Sequence, residues 1–291
     1  MSSERDPILQ KLVNWGSSRP SVRVMILTST RAIPDASLDP FSDYDVIVVA
    51  TAVRPYYEDR SWLEEFGKVL VLYRDPMKPD YGHDRFAYIT QYEDGLKIDF
   101  TLWPVEILEM IGSDPNLPDE LDAGYLVLLD KDGLAADLKP PSYQAYIPSP
   151  PDRQAYETTV EEFFHETTYV AKMLWRDELM PAKYSLDYVM KILYLRRMLV
   201  WYMEIDSGWK VKPGVLGKGL RNRLDPGTWR RLESTYAGAD LEDNWTALFE
   251  SVDVFRNVAK EVAIQLGYDY PDDLEKRVVR YLEQVKNIGR T

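Results

Sequence analysis

Apolar and polar positions follow two different rhythms along this chain. From Val22 to Leu129 the apolar residues form short β-branched runs or alternate with polar ones. Val22–Leu27 predicts a buried strand, closed by the polar turn Thr28-Ser29-Thr30-Arg31, and Asp43–Val49 predicts a second strand. Lys68–Tyr73 predicts a third. Phe86–Tyr92 and Leu96–Leu102 predict a hairpin across Glu93-Asp94-Gly95, where Asp-Gly is a strong turn signal. Leu126–Leu129 predicts a short edge strand. Helical spacing in this half is limited to residues 6–16 (Ile8, Leu9, Leu12, Val13), Ser61–Phe66 and Glu106–Ile111, which starts after Pro104 ends the hairpin arm. From Ala155 onward the rhythm changes. Apolar side chains recur every three or four positions over Ala155–Leu179, Lys183–Glu204, Leu241–Leu266 and Asp272–Asn287, which predicts a helix bundle. Five prolines cluster between Lys139-Pro140-Pro141 and Pro148-Ser149-Pro150-Pro151, a composition that favours an extended linker. Two domains are expected, residues 1–148 and 149–291, in an α+β chain.

Composition narrows the chemistry. The chain has 291 residues and no Cys, so thiolate metal sites and disulfides are excluded. Its only two His, His83 and His165, lie far apart in sequence, which argues against zinc sites and a His-centred triad. No apolar run approaches membrane-spanning length, and the first residues lack the pattern of a signal peptide, so a soluble cytoplasmic protein is expected. The net charge is −13, with a balance of −11 in residues 1–148 and −2 in residues 149–291. A field of that sign disfavours nucleic acid and attracts small cations or polycations.

Within the acidic half, Ser42-Asp43-Tyr44-Asp45 opens a β-branched run. Alternate residues of a strand share a face, so Asp43 and Asp45 point the same way. Two such acids repel unless a cation sits between them, and a hard cation such as Mg²⁺, which usually arrives with phosphates, suits the pair. On the hairpin arm Ile98, Phe100 and Leu102 take one face, while Lys97, Asp99 and Thr101 take the other. Asp99 is therefore a third strand carboxylate among apolar neighbours.

A strand ending in a Ser/Thr turn, then D-x-D on the next strand, then a later strand Asp, resembles the nucleotidyltransferase superfamily. Longer strings are more specific. Leu27–Arg31, Asp43-Tyr44-Asp45, Trp62–Lys68, Glu93-Asp94-Gly95 and Ile98–Pro104 resemble the streptomycin-modifying aminoglycoside 6-adenylyltransferases, and so do Tyr169–Lys172, Arg197–Trp201, Lys218 and Trp229–Tyr236. This resemblance implies an N-terminal mixed β-sheet domain with flanking helices that binds ATP and Mg²⁺, followed by a helical substrate-binding domain. It implies Asp43, Asp45 and Asp99 as metal ligands, with Asp99 the third ligand or the general base. Ser29, Thr30 and Arg31 would hold the triphosphate, with Lys172 and Lys218 reaching it from the helical half. A polycationic substrate calls for acids and aromatic faces, for which Asp177, Glu178 and Trp175 are candidates, whereas Trp201 reads as core.

The implied activity is transfer of AMP from Mg-ATP to a hydroxyl of an aminoglycoside such as streptomycin, with release of pyrophosphate. Two alternatives stay open. The acceptor could be another small cation, a lincosamide-like drug or a protein hydroxyl. Or Ser29, which stands where the family has Gly, could have impaired turnover and left a nucleotide- or drug-binding relative. ATP is not distinguished from other nucleotide donors. Neither a nucleic-acid nor a membrane partner is expected, and oligomeric state is open, a monomer being compatible with the sequence.

Overall fold

The computed structural model describes residues 6–34 and 36–289. Contacts divide the chain into two compact units, residues 1–146 and 147–291.

The first unit is built on a seven-stranded mixed sheet. Helix α1 (Pro7–Ser17) begins at Asp6, whose carboxylate caps the main-chain N–H groups of Ile8 and Leu9. Strand β1 (Val22–Thr28) leads through a short 3-10 turn, Ser29–Ala32, and a loop into β2 (Tyr44–Ala50). A short helix α2 (Arg54–Glu58) and a 3-10 turn at Ser61–Glu65 precede β3 (Val69–Arg74), β4 (Lys78–Asp80), β5 (His83–Tyr92) and β6 (Lys97–Pro104). Helices α3 (Val105–Ser113) and α4 (Asp119–Asp122) then lead to β7 (Tyr125–Asp130). The strand order is β3-β5-β6-β2-β1-β7, with β4 paired to β5. β2 and β6 run parallel, and the pairs β1/β2, β1/β7, β3/β5 and β5/β6 are antiparallel.

Alternation in the central strands explains why the sheet is buried on both faces. Val46 and Val48 of β2, with Phe100 of β6, join a core against Leu12 and Trp15 of α1 and the rings of Trp62 and Phe66. Trp15, Trp62, Phe66 and Phe100 form a tight aromatic cluster there, with ring centroids 4.9–5.5 Å apart for the closest pairs. Ile47, Val49 and Trp103 point to the opposite face and pack on Ile107, Leu108 and Ile111 of α3. Parity then decides where the acids lie: Asp45 and Asp99 share the α3 face, at its polar end.

The second unit is helical. Helices α5 (Arg153–Trp175), α6 (Leu179–Lys183), α7 (Arg196–Ser207), α10 (Leu241–Leu266) and α11 (Asp272–Asn287) bury a common core, and two shorter helices, α8 (Leu220–Arg223) and α9 (Pro226–Ser234), lie between α7 and α10. Phe163 of α5 stacks on Phe255 of α10 with centroids 3.7 Å apart. Trp201 belongs to this core.

Two helix expectations are corrected. The predicted helix 155–179 ends at Trp175. There the Glu178 N–H reaches the Met173 carbonyl and the Asp177 N–H reaches that of Leu174, with Asp177 at φ +61°. This is a Schellman closure with Asp in the position usually held by Gly, so the usual stop signal is missing from the sequence. The predicted regular helix 183–204 is a π-helix over Tyr184–Leu195 before it becomes α7. Lys183, Asp187 and Lys191, four residues apart, form one stripe on it, with both ammonium groups 2.6 Å from Asp187 carboxylate oxygens.

Candidate active site

The site is built where β1, β2 and β6 end. In the parallel pairing of β2 with β6, Asp45 and Asp99 are direct register partners, and Thr28 at the end of β1 pairs with Asp45 from the other side. Asp43 precedes β2 and is positioned by its backbone. The Arg31 guanidinium donates to the Asp43 carbonyl at 3.0 Å and to the Ser42 carbonyl at 2.9 Å. The same guanidinium stacks on the Tyr44 ring at 3.8 Å and pairs with Asp6 at 3.6 Å. The Tyr44 hydroxyl donates to Asp6 at 2.8 Å; burial and that anion push the phenol up to about 12. Arg31 is thus committed to holding the loop in front of β2.

Ser29 follows β1 directly and adopts φ +61°, a left-handed conformation that favours glycine. Its hydroxyl favours the ionised form of Asp45. Thr30 and Arg31 continue the 3-10 turn.

Lys97 lies on the same side of β6 as Asp99 and was not among the expected site residues. Its Nζ donates to Asp43 Oδ2 at 2.5 Å and to Asp99 Oδ2 at 3.0 Å. Asp99 Oδ1 is buried and has no hydrogen-bond partner. Burial, with the nearby charge of Asp99 and Asp43, raises the Asp45 pKa above the usual carboxylate range, against the Ser29 hydroxyl and Lys97. Burial likewise raises Asp99, with Lys97 opposing and Asp43 adding to the rise. Burial pulls the Lys97 pKa down, but hydrogen bonds and charge from Asp43 and Asp99 outweigh it and hold the ammonium above its ordinary value. Burial and neighbouring acids thus raise the two carboxylates, while the carboxylates that Lys97 bridges hold its ammonium charged. A cavity of about 390 Å³ opens beside Asp43 and Lys97, lined also by Arg31, Phe41, Tyr44 and the Asp94–Leu96 turn.

The donor set is chemically suited to a hard divalent cation: carboxylates only, two of them on adjacent strands, one with a buried oxygen that nothing satisfies. In the conformation described, however, no three metal-ligating side chains among the described residues stand close enough together to hold a metal ion. Asp43 and Asp99 turn their Oδ2 atoms to Lys97 instead.

The remaining expected residues lie in the second unit. Lys172 is half-buried on α5, its ammonium 5.1 Å from the centroid of the Tyr169 ring. Lys218 is exposed in the segment between Val215–Gly217 and α8. Trp175 packs against the helical core and donates its indole N–H to the Ile288 carbonyl at 3.0 Å. Asp177 and Glu178 are exposed on the turn that closes α5.

A mixed sheet that presents acids from the ends of neighbouring strands beside a Ser/Thr turn, continued by a helical unit, is the framework of a nucleotidyltransferase, and the chain is an enzyme of that class. Residues 1–285 match the family described as streptomycin adenylyltransferase, and the chain belongs to that family. It is 28% identical to an aminoglycoside 6-adenylyltransferase of Bacillus subtilis (strain 168), over 98% of each chain. It is also 28% identical to one of Campylobacter jejuni, over 99% of this chain and 98% of the other. A solved structure of an aminoglycoside 6-adenyltransferase from Bacillus subtilis aligns over 99% of both chains, with 27% identity and a TM-score of 0.48. Among the described residues no helix is long and apolar enough to cross a membrane.

Proposed function

We propose that this enzyme transfers AMP from Mg-ATP to a hydroxyl of an aminoglycoside such as streptomycin and releases pyrophosphate, with residues 1–148 binding the nucleotide and residues 149–291 the acceptor. The observation that carries the reading is the register pairing of Asp45 with Asp99 beside Asp43, in a chain of this family. Asp43, Asp45 and Asp99 would hold Mg²⁺, which when bound neutralises charge on the attacking and leaving oxygens of an in-line displacement. Asp99 has a second role. Its raised pKa and free buried oxygen suit it to accept the proton of the attacking hydroxyl. Ser29 and Thr30 receive the triphosphate at the end of β1, while Arg31 keeps Asp43 in place. Lys172 and Lys218 supply positive charge for the phosphates. Trp175, Asp177 and Glu178 supply an aromatic face and anions for a polycation, in keeping with a net charge of −13.

A second reading, nucleotide or drug binding with impaired transfer, is favoured by one observation: Ser29 sits at φ +61° with its side chain beside the phosphate turn. Mass spectrometry of streptomycin after incubation with the enzyme, Mg²⁺ and ATP separates the two. A product heavier by one AMP unit, absent with Asp43→Asn, supports transfer. Unmodified drug in the presence of bound ATP supports the second reading.

A further inference from the structure

We propose that Lys97 is a positioning residue that serves as the resident counter-cation of the carboxylate cluster and keeps divalent metal out until nucleotide arrives. The inference rests on the metal–nucleotide reading above. One ammonium group bridges Asp43 Oδ2 at 2.5 Å and Asp99 Oδ2 at 3.0 Å, taking an oxygen from each of two proposed metal ligands. Alternation on β6 keeps Lys97 and Asp99 on one face, so the bridge is built into the strand. The Lys97 side chain is partly exposed, at 29%, and borders the cavity beside Asp43, so the ammonium has room to leave the carboxylates. A divalent ion entering between Asp43 and Asp99 must take those oxygens from Lys97, because two cations at that spacing repel strongly. Triphosphate received at Ser29 and Thr30 offers Lys97 replacement anions. Metal and nucleotide therefore bind together, and metal alone binds poorly.

The test is Mn²⁺ binding, followed through the EPR signal of free Mn²⁺ at pH 7, to the wild-type protein, Lys97→Met and Lys97→Arg. Each is measured with and without the non-transferable analogue α,β-methylene-ATP, after thermal melts confirm folding. Lys97→Gln serves as a second neutral variant should Lys97→Met melt early. The expected result is that the neutral variant binds free Mn²⁺ at least about tenfold more tightly than wild type. Lys97→Arg, which keeps the charge, should resemble wild type. The analogue should strengthen Mn²⁺ binding in wild type more than in the neutral variant. The neutral variant should also transfer AMP more slowly, a split that simple loosening of the site would not produce. Equal or weaker Mn²⁺ binding by the neutral variants overturns the role of Lys97 and leaves the metal reading standing. No Mn²⁺ binding by any protein, with or without the analogue, overturns both.

Discussion

Asp45 and Asp99 face each other across the parallel pair β2/β6, each pushed above the usual carboxylate range by burial and by the charge of the acids around it. For a carboxylate with a raised folded-state pKa, the folded state binds more protons than the unfolded one. Its relative stabilisation is complete below the unfolded pKa and is lost as pH rises through the folded pKa. At neutral pH the pair therefore works against folding. Asp45→Asn should raise Tm at pH 7, and the gain should shrink as pH falls toward the ordinary Asp pKa. The same change should lower AMP transfer by about a hundredfold or more. Thermal melts across pH 4–8 together with initial rates check both; a lower Tm at pH 7 would contradict the electrostatic account.

Ser29 combines a backbone cost with a side-chain benefit. A non-glycine residue in the left-handed region costs about 1–2 kcal/mol, while glycine gives back roughly half of any relief through the entropy of the unfolded chain. Its hydroxyl also steadies the Asp45 carboxylate. Ser29→Ala keeps the strain and loses the hydroxyl that favours ionised Asp45, so it should be the least stable of the three proteins. Ser29→Gly should lie within about 1 kcal/mol of wild type. Urea denaturation at pH 7 gives the order. Removal of the hydroxyl should raise the Asp45 pKa further, moving the acidic limb of the rate profile to higher pH in both variants.

Much of this arrangement is legible in the sequence, and the exceptions have physical causes. Helix α10 runs from Leu241 to Leu266 as its apolar spacing predicts, and the Asp-Gly turn marks the hairpin of β5 and β6. Strand β4 is three residues long and contains Pro79, too short for any alternation to show. The pairing of Asp45 with Asp99 joins strands more than 50 residues apart in parallel, and no local pattern encodes such a crossover. Alternation did put Lys97 on the face of Asp99. A lysine on a hairpin resembles any solvated surface lysine until the fold brings Asp43 to it. The buried apolar positions of the π-helix, Leu186, Met190 and Leu195, recur every four to five residues, and over a single 12-residue stretch rich in apolar residues that spacing is masked by Val189, Ile192 and Leu193 at α-helical intervals.

Arg31 reaches the Ser42 and Asp43 carbonyls, the Tyr44 ring and Asp6 at once. Charge-assisted hydrogen bonds of this kind contribute about 1.5–3 kcal/mol, and stacking adds to them. Arg31→Ala should therefore destabilise the protein by about 2 kcal/mol, read from the urea midpoint. It should also slow transfer by freeing the loop that carries Asp43. Lysine lacks the planar fork that serves two carbonyls and a ring together, so Arg31→Lys should rescue little of either loss. Full rescue by lysine would mean that charge alone matters at this position.

In the second unit, Lys191 is buried, and its ammonium lies 2.6 Å from Asp187 and 4.3 Å from the centroid of the Tyr236 ring. Burial lowers its pKa, and Asp187 opposes the fall. Between that lowered value and the ordinary lysine value the unfolded chain binds more protons than the folded one, so stability from this group rises with pH across that window. Removing the partner strands the charge. Asp187→Ala should destabilise by about 3 kcal/mol or more at pH 7, because a buried ammonium is left without its anion. It should also widen the window by lowering the Lys191 pKa further, so the variant should recover part of its loss as pH rises toward 10. Replacing Lys191 by Met removes the desolvated charge while keeping the stem's volume, and leaves Asp187 paired with Lys183 at 2.6 Å. Lys191→Met should accordingly be close to neutral or mildly stabilising. Urea titrations of the three proteins at several pH values measure this directly, and a Lys191→Met variant as unstable as Asp187→Ala would show that the ion pair itself holds the π-helix together.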